Sequence, residues 1–267
     1  MNDWQMLRQV QYLLRLATWA DTGVVFPTKS VFATCRLPEQ TLAGLQMPVA
    51  ILTSDGASTD PERQEQPGLV GLEFTVYAMA NNEGDQYGEA SLMGSNRVTG
   101  SSGRGLLEIA EQVRTTLLQL GPQSGLPIVF RAQSAPAAAE ISAVPYLTQL
   151  GIKFSALGTT FRTYQPPFGL AATGGSGQVA LTWSAMPRFD FLRFVLRCAS
   201  GATPPATVSD GTGVTLASDG ATSVTNSGLS AGTYSYSLFV LYDDVRSPAT
   251  TASGTSSPQT IASVTVT

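Results

Sequence analysis

The chain reads as an α+β domain, with helices packed on an antiparallel sheet, followed by an all-β sandwich. Three observations predict this. Arg162-Thr-Tyr-Gln-Pro-Pro-Phe-Gly169 carries two adjacent prolines. Each lacks an N–H donor and holds φ near about −65°, so neither a helix nor a central strand runs through the pair. Composition changes across this spacer. Both Lys and all Glu precede it, whereas Phe168 to Thr267 has neither and is dominated by Ser, Thr, Gly and Ala. Helical and alternating apolar patterns mix before the spacer, and only alternating ones follow it. The expected domains are residues 1–163 and 164–267, with a stiff, extended linker around 163–168.

In the first domain, Trp4, Leu7, Val10, Leu14 and Ala17 recur at spacings of three and four, which predicts an amphipathic helix. Asn2 or Asp3 can cap it, and Asp21-Thr-Gly23 is expected to end it. Three strands should follow. Ser30–Leu37 alternates, with Val31, Ala33, Cys35 and Leu37 on one face; Met47–Thr53 is a short apolar run. In Gly68–Ala80, Val70, Leu72, Phe74, Val76 and Ala78 face one way, and Glu73, Thr75 and Tyr77 the other. The turn-rich stretch Ser54–Pro67 makes the last two strands a long-tipped hairpin. Asn81–Arg104 is polar and Gly-rich, a length of loop that tends to be functional or ordered by a partner. Leu106, Ile109, Ala110, Val113, Leu117 and Leu120 predict a second helix, with Gly121 as its C-cap glycine and Pro122 after it. Pro127–Ala132 and Leu150–Phe161 read as strands, the latter with Ile152, Phe154 and Ala156 on one side; Ala135–Tyr146 is ambiguous.

In the second domain, short alternating runs lie between Gly/Pro/Ser/Asp turns. Val179, Leu181 and Trp183 share one face. Leu192, Phe194 and Leu196 alternate with Arg193, Val195 and Arg197. Tyr234, Tyr236, Leu238 and Val240 mark a later strand, and the last lies near Ile261–Val266. The opening Pro-Pro-Phe-Gly-Leu, the Leu-Thr-Trp of the second strand and the Leu…Gly-Thr-Tyr-Ser-Tyr corner closely resemble a fibronectin type III domain, an immunoglobulin-like sandwich. The resemblance implies a corner tyrosine at Tyr234 or Tyr236. It speaks to fold rather than function.

The whole chain of 267 residues, 43% hydrophobic and 13% charged, is that of a folded protein. A net charge of −4 argues against a sequence-specific nucleic-acid partner, which calls for a basic face. No apolar run is long enough for a transmembrane helix, so no membrane partner is expected. Met-Asn-Asp-Trp-Gln lacks the basic start of a secretory signal peptide. There is no histidine, which removes the usual general base and the commonest metal ligand.

Several clusters invite a chemical reading. Asp55, Asp60, Glu62 and Glu65 share one loop, but nothing apolar beside them would raise a carboxyl pKa, and a solvated hairpin tip is the better reading. Asp210-Gly-Thr-Gly213 and Ser218-Asp-Gly220 look like calcium loops yet lack the alternating ligands and distal Glu, so they read as turns. Gly100–Gly105 precedes a helix without the Gly-Lys-Ser/Thr ending of a phosphate loop. Cys35 has only Arg36 near it, on the opposite strand face, and Cys35 and Cys198 read as buried free thiols. Trp183, Tyr234 and Tyr236 read as core rather than a sugar platform. No enzyme, cofactor or metal site is expected.

The opening helix, the strand pair Val31–Leu37 and Pro48–Leu52, the Leu69–Met79 strand, the polar loop and the helix Leu106–Leu120 together resemble the tail terminator, or tail-completion, proteins of tailed bacteriophages. Ala135–Tyr146 has no counterpart in that pattern. The resemblance implies a structural virion protein, assembled in the host cytoplasm and residing in the tail or neck. It implies a homo-oligomeric ring, usually a hexamer, that ends the tail tube and joins it to the head–tail connector protein, with room for genomic DNA to pass. The candidate interface residues lie in the two polar loops: Asp55, Asp60, Glu62, Arg63 and Glu65 in the first, and Asn82, Asp85, Tyr87, Asn96, Arg97 and Arg104 in the second. The alternatives are a carbohydrate- or cell-surface-binding accessory module, or another virion part such as a tail tube or baseplate subunit.

Overall fold

The computed structural model describes residues 3–19, 23–27, 29–34, 47–57, 69–81, 104–138, 147–159, 165–243 and 254–267. These residues form a β-rich fold with two helices and four sheets. The chain divides into two compact units, Met1–Arg162 and Thr163–Thr267.

The N-terminal unit opens with helix α1 (Asp3–Arg15). It stops at Arg15, well before Asp21. The Ala17 carbonyl accepts the Val25 N–H, and β1 (Thr18–Trp19) pairs with β2 (Gly23–Val24), so β-branched and aromatic residues leave the helix for a short ladder. The main sheet holds β3 (Val31–Ala33), β4 (Val49–Ala57), β5 (Leu69–Asn81), β6 (Ile128–Gln133), β7 (Ala137–Ala138) and β8 (Leu147–Thr159). Its order is β3-β4-β5-β8-β6, with β7 also on β8. The expectation of a purely antiparallel sheet fails at its edge, where β3 runs parallel to β4. The stretch from Thr34 to Pro48 is long enough for the crossover that parallel pairing requires. Within β3, Val31 is buried, Phe32 packs against the opposite face and Ala33 is exposed, so the predicted shared face does not extend to Ala33. Cys35 and Leu37 lie outside the described residues, as do 139–146 of the ambiguous segment.

One sheet face carries Leu72, Phe74, Val76 and Ala78 of β5 and Leu150, Ile152, Phe154 and Ala156 of β8. Met6, Val10, Leu13 and Leu14 of α1 and Ile109, Ala110, Val113 and Leu117 of α2 (Leu106–Gln123) close the core over that face. Phe74 stacks on Phe154 at 5.5 Å, and Phe130 meets Phe154 edge-on at 6.0 Å.

The end of α2 departs from expectation. Gly121 is not the C-cap glycine but a buried residue of the helix. A Cβ there would lie 2.9 Å from the Leu126 carbonyl and 3.0 Å from Ile128 Cγ1, so its role is close approach. The terminator is Gly125, at φ 76°. The Leu126 N–H reaches back to the Gly121 carbonyl and the Gly125 N–H to that of Pro122, both at 3.0 Å. These are the paired bonds of a Schellman motif, which satisfies carbonyls the helix leaves free.

The C-terminal unit has a three-stranded sheet, β13-β10-β9, built from β9 (Ala171–Gly175), β10 (Gln178–Thr182) and β13 (Ser223–Ser227). Its second sheet holds β11 (Phe191–Ser200), β12 (Thr212–Val214), β14 (Gly232–Tyr242), β15 (Gly254–Thr255) and β16 (Gln259–Val266). Val179, Leu181 and Trp183 pack with Phe194, Leu196, Cys198, Tyr236, Leu238 and Val240 in a single core. Leu192 does not join them. A register shift between Phe191 and Arg193 turns Leu192 outward and sets the Phe191 ring 4.9 Å from Phe194.

Candidate functional site

The sheet face of the N-terminal unit turned away from the helices gathers a cluster of charged and hydroxyl side chains. Pairing of β4, β5 and β8 lays out its rows. Ser155 stands beside Glu73, and Lys153 beside Thr75, which stands beside Thr53. Lys153 Nζ lies 2.9 Å from Glu73 Oε2. The Glu73 hydrogen bond and charge hold the Lys153 ammonium above its ordinary pKa, and Asp55 adds to the effect. The Thr75 hydroxyl donates to Asp55 Oδ2 at 2.6 Å, and Arg131 Nε donates to the Ser155 hydroxyl at 2.9 Å. Further along, the Tyr77 ring lies across Gly151, the arrangement by which an aromatic side chain covers a strand glycine. Beyond it the face turns apolar, with Val49, Ile51, Met79 and Leu147 buried. On this face, Lys153 and Glu73 thus form an ion pair, while Asp55 and Arg131 bond hydroxyls.

Of the predicted interface residues, Asp55 belongs to this face. Arg104 does not: it precedes α2, 3.5 Å from Glu108 Oε2, with its guanidinium 5.0 Å above the Trp19 ring. The structure thus does not bring these two together. Asp60, Glu62, Arg63, Glu65, Asn82, Asp85, Tyr87, Asn96 and Arg97 lie outside the described residues, as do Gly100–Gly103. Sequence reasoning missed Lys153, Arg131 and Ser155. Alternation had set Glu73, Thr75 and Tyr77 on one side of β5, but only the β5–β8 pairing shows that Lys153 shares it.

In the C-terminal unit the calcium-like loop is filled by protein groups. Arg197 donates from Nε to the Asp210 carbonyl at 2.7 Å and from Nη2 to those of Ser209 and Gly211, each at 2.9 Å. The Asp210 carboxylate accepts the N–H of Thr207 at 2.7 Å and of Ala206 at 3.1 Å. The guanidinium stands where a cation would, and the loop is a structural clamp. The Asp219 carbonyl accepts the Phe194 N–H at 3.1 Å, tying the second such loop to β11. Among the described residues no three His, Cys, Asp or Glu side chains converge as a metal site would require.

Trp183 and Tyr236 are buried, and the Trp183 ring meets Phe194 edge-on at 5.8 Å. The Tyr234 hydroxyl donates to the Ser230 carbonyl at 3.1 Å, while the Tyr236 hydroxyl accepts from Asn226 Nδ2 at the same distance. Of the two hydroxyls, that of Tyr234 is the one bonded to backbone. Cys198 is buried beside Tyr236, and desolvation pushes its thiol pKa up, the opposite of what a nucleophile needs. Arg188 and Asp190 form a buried two-bond pair, Nε to Oδ1 and Nη2 to Oδ2, each 2.8 Å, with the guanidinium 4.6 Å above the Tyr242 ring. The Tyr242 hydroxyl in turn donates to the Gln165 carbonyl at 2.6 Å. An open groove of about 570 Å³ beside β11 and β12 is lined by Arg193, Leu196, Val214 and Asp219 among others.

No protein-family model matches the chain, and no curated protein matches it.

Proposed function

We propose that this chain is a structural virion protein of a tailed bacteriophage. The N-terminal unit is read as a tail-terminator-like α+β domain that assembles into a ring, typically of six chains. The ring ends the tail tube and meets the head–tail connector. The C-terminal unit is read as a fibronectin type III-like sandwich carried as a decoration. The observation that carries the proposal is the element order of the N-terminal unit. Helix α1, strands β3, β4 and β5 and helix α2 follow in the order on which the resemblance rests, with both helices on one sheet face. The Lys153–Glu73 ion pair and the hydroxyl-bonded Asp55 of the other face support a surface for protein contact over a reaction centre.

Two features support the sandwich reading. The chain passes between its two sheets after β10, β12 and β13, and Tyr234 makes the backbone bond of a tyrosine corner. The carbohydrate-binding alternative draws little support from Trp183 and Tyr236, since both face the core. Light scattering on the full chain tests the proposal. A mass corresponding to a closed ring of several chains is expected. A monomer at every concentration overturns the ring and favours an accessory module.

A further inference from the structure

We propose that the outer face of α2 is a self-complementary docking surface for α2 of a second copy of this chain, packed antiparallel about a two-fold axis. Leu107, Glu111, Arg114 and Leu118 follow one another at spacings of four, three and four residues, the spacing of a coiled-coil seam. At about 100° per residue they fall in one narrow stripe. That stripe lies on an exposed flank of the helix, beside the row of buried Ile109, Ala110, Val113 and Leu117. Leu107 and Leu118 are 44% and 39% exposed, and the side chains of Glu111 and Arg114 are 60% and 37% exposed.

Exposed leucines taken singly need no explanation. Here their order does. Leu107 and Leu118 have the same midpoint along the helix as Glu111 and Arg114. A two-fold axis through that midpoint sets each Leu107 against Leu118 of the second copy, and each Glu111 against its Arg114. A parallel, in-register pairing instead sets Glu against Glu and Arg against Arg. Charge complementarity thus selects the antiparallel arrangement. Arg114 is positioned for it, because its guanidinium lies 5.5 Å above the Phe130 ring and pairs with Glu111 of its own helix. In the paired state each Arg114 stands between two carboxylates, one from each copy. The contact is one helix face per chain, less than a stable complex usually buries, so it forms in a concentration-dependent way. It does not depend on the ring reading, since a two-fold contact joins two chains or two rings alike.

Disulfide trapping on full-length chains tests this. A Leu107→Cys chain mixed with a Leu118→Cys chain and mildly oxidised should give a disulfide between the two variants, mapped by mass spectrometry. Leu107→Cys alone should give at least about tenfold less, because its two copies stand about 16 Å apart along the helix. Adding Arg114→Glu to both chains should cut trapping about tenfold. Placing Glu111→Arg on the Leu107→Cys chain and Arg114→Glu on the Leu118→Cys chain should restore it. Circular dichroism checks that each variant is folded. Should a charge variant fail to fold, the two cysteine arms still decide. Equal trapping in the Leu107→Cys sample, no trapping in the mixture, or indifference to the charge arrangement in folded variants would each overturn the proposal.

Discussion

At the scale of single residues, the strongest constraint is the buried Arg188–Asp190 pair. Both partners are nearly inaccessible and joined by two bonds, so removing one takes two charge-assisted bonds from the other in a low-dielectric interior. Asp190→Ala should destabilise the C-terminal unit by about 3–5 kcal/mol in chemical denaturation, the usual cost of breaking a buried ion pair from one side. A loss under about 1 kcal/mol would mean that water reaches Arg188. A second expectation concerns alkali. Burial, chiefly, pushes the Tyr236 phenol above its ordinary 10.0 and the Cys198 thiol above 9.0. Both hold their protons more tightly when folded, so this stabilisation is complete below the unfolded pKa values. It is lost as the unfolded chain begins to ionise and pH climbs toward the folded values. The denaturation midpoint of this unit should fall between about pH 8.5 and 11, and Tyr236→Phe should flatten the fall. A midpoint independent of pH would contradict this. Alternation made the core places of Trp183 and Tyr236 legible in the sequence. It could not tell which of Tyr234 and Tyr236 bonds backbone through its hydroxyl, because residues two apart share a face.

At the scale of elements, the long strands and helices were the legible part, because β5, β8 and α2 repeat one period over many residues. Their ends were not, because short-range signals compete there. Gly121 and Gly125 both look like helix terminators in sequence. The deciding facts are the approach of Leu126 and Ile128 to Gly121 and the positive φ of Gly125. Although Ala is the better helix former, Gly121→Ala should therefore destabilise the protein by about 1–3 kcal/mol, the cost of overpacking. Urea denaturation would measure it, and a stabilised variant would show that the β6 approach relaxes freely. The parallel β3 was illegible for a different reason: strand direction depends on the connection, which a run of three residues does not encode. The polar sheet face was half legible, since Glu73 and Thr75 could be assigned to a side of β5 but not to the neighbour they meet.

At the scale of the whole molecule, the C-terminal unit carries its core within itself. Val179, Leu181, Trp183, Leu196, Leu238 and Val240 all belong to it, and Gln165 supplies the carbonyl that Tyr242 binds. A fragment from Gln165 to Thr267 should unfold cooperatively on its own, and Trp183→Ala should cost it about 3–5 kcal/mol. A soluble fragment without a cooperative transition would contradict this. Function was the least legible level, because the candidate interface residues fall mainly in polar loops that lack the periodicity by which strands and helices announce their partners. The proposed ring at the end of a phage tail can be looked for by cryo-electron microscopy of phage particles that carry this chain. A ring at the junction of tail tube and head connector, with density that fits the β4–β5–β8 sheet, is expected. Density for this chain along the tube, at the baseplate or nowhere on the particle would contradict it.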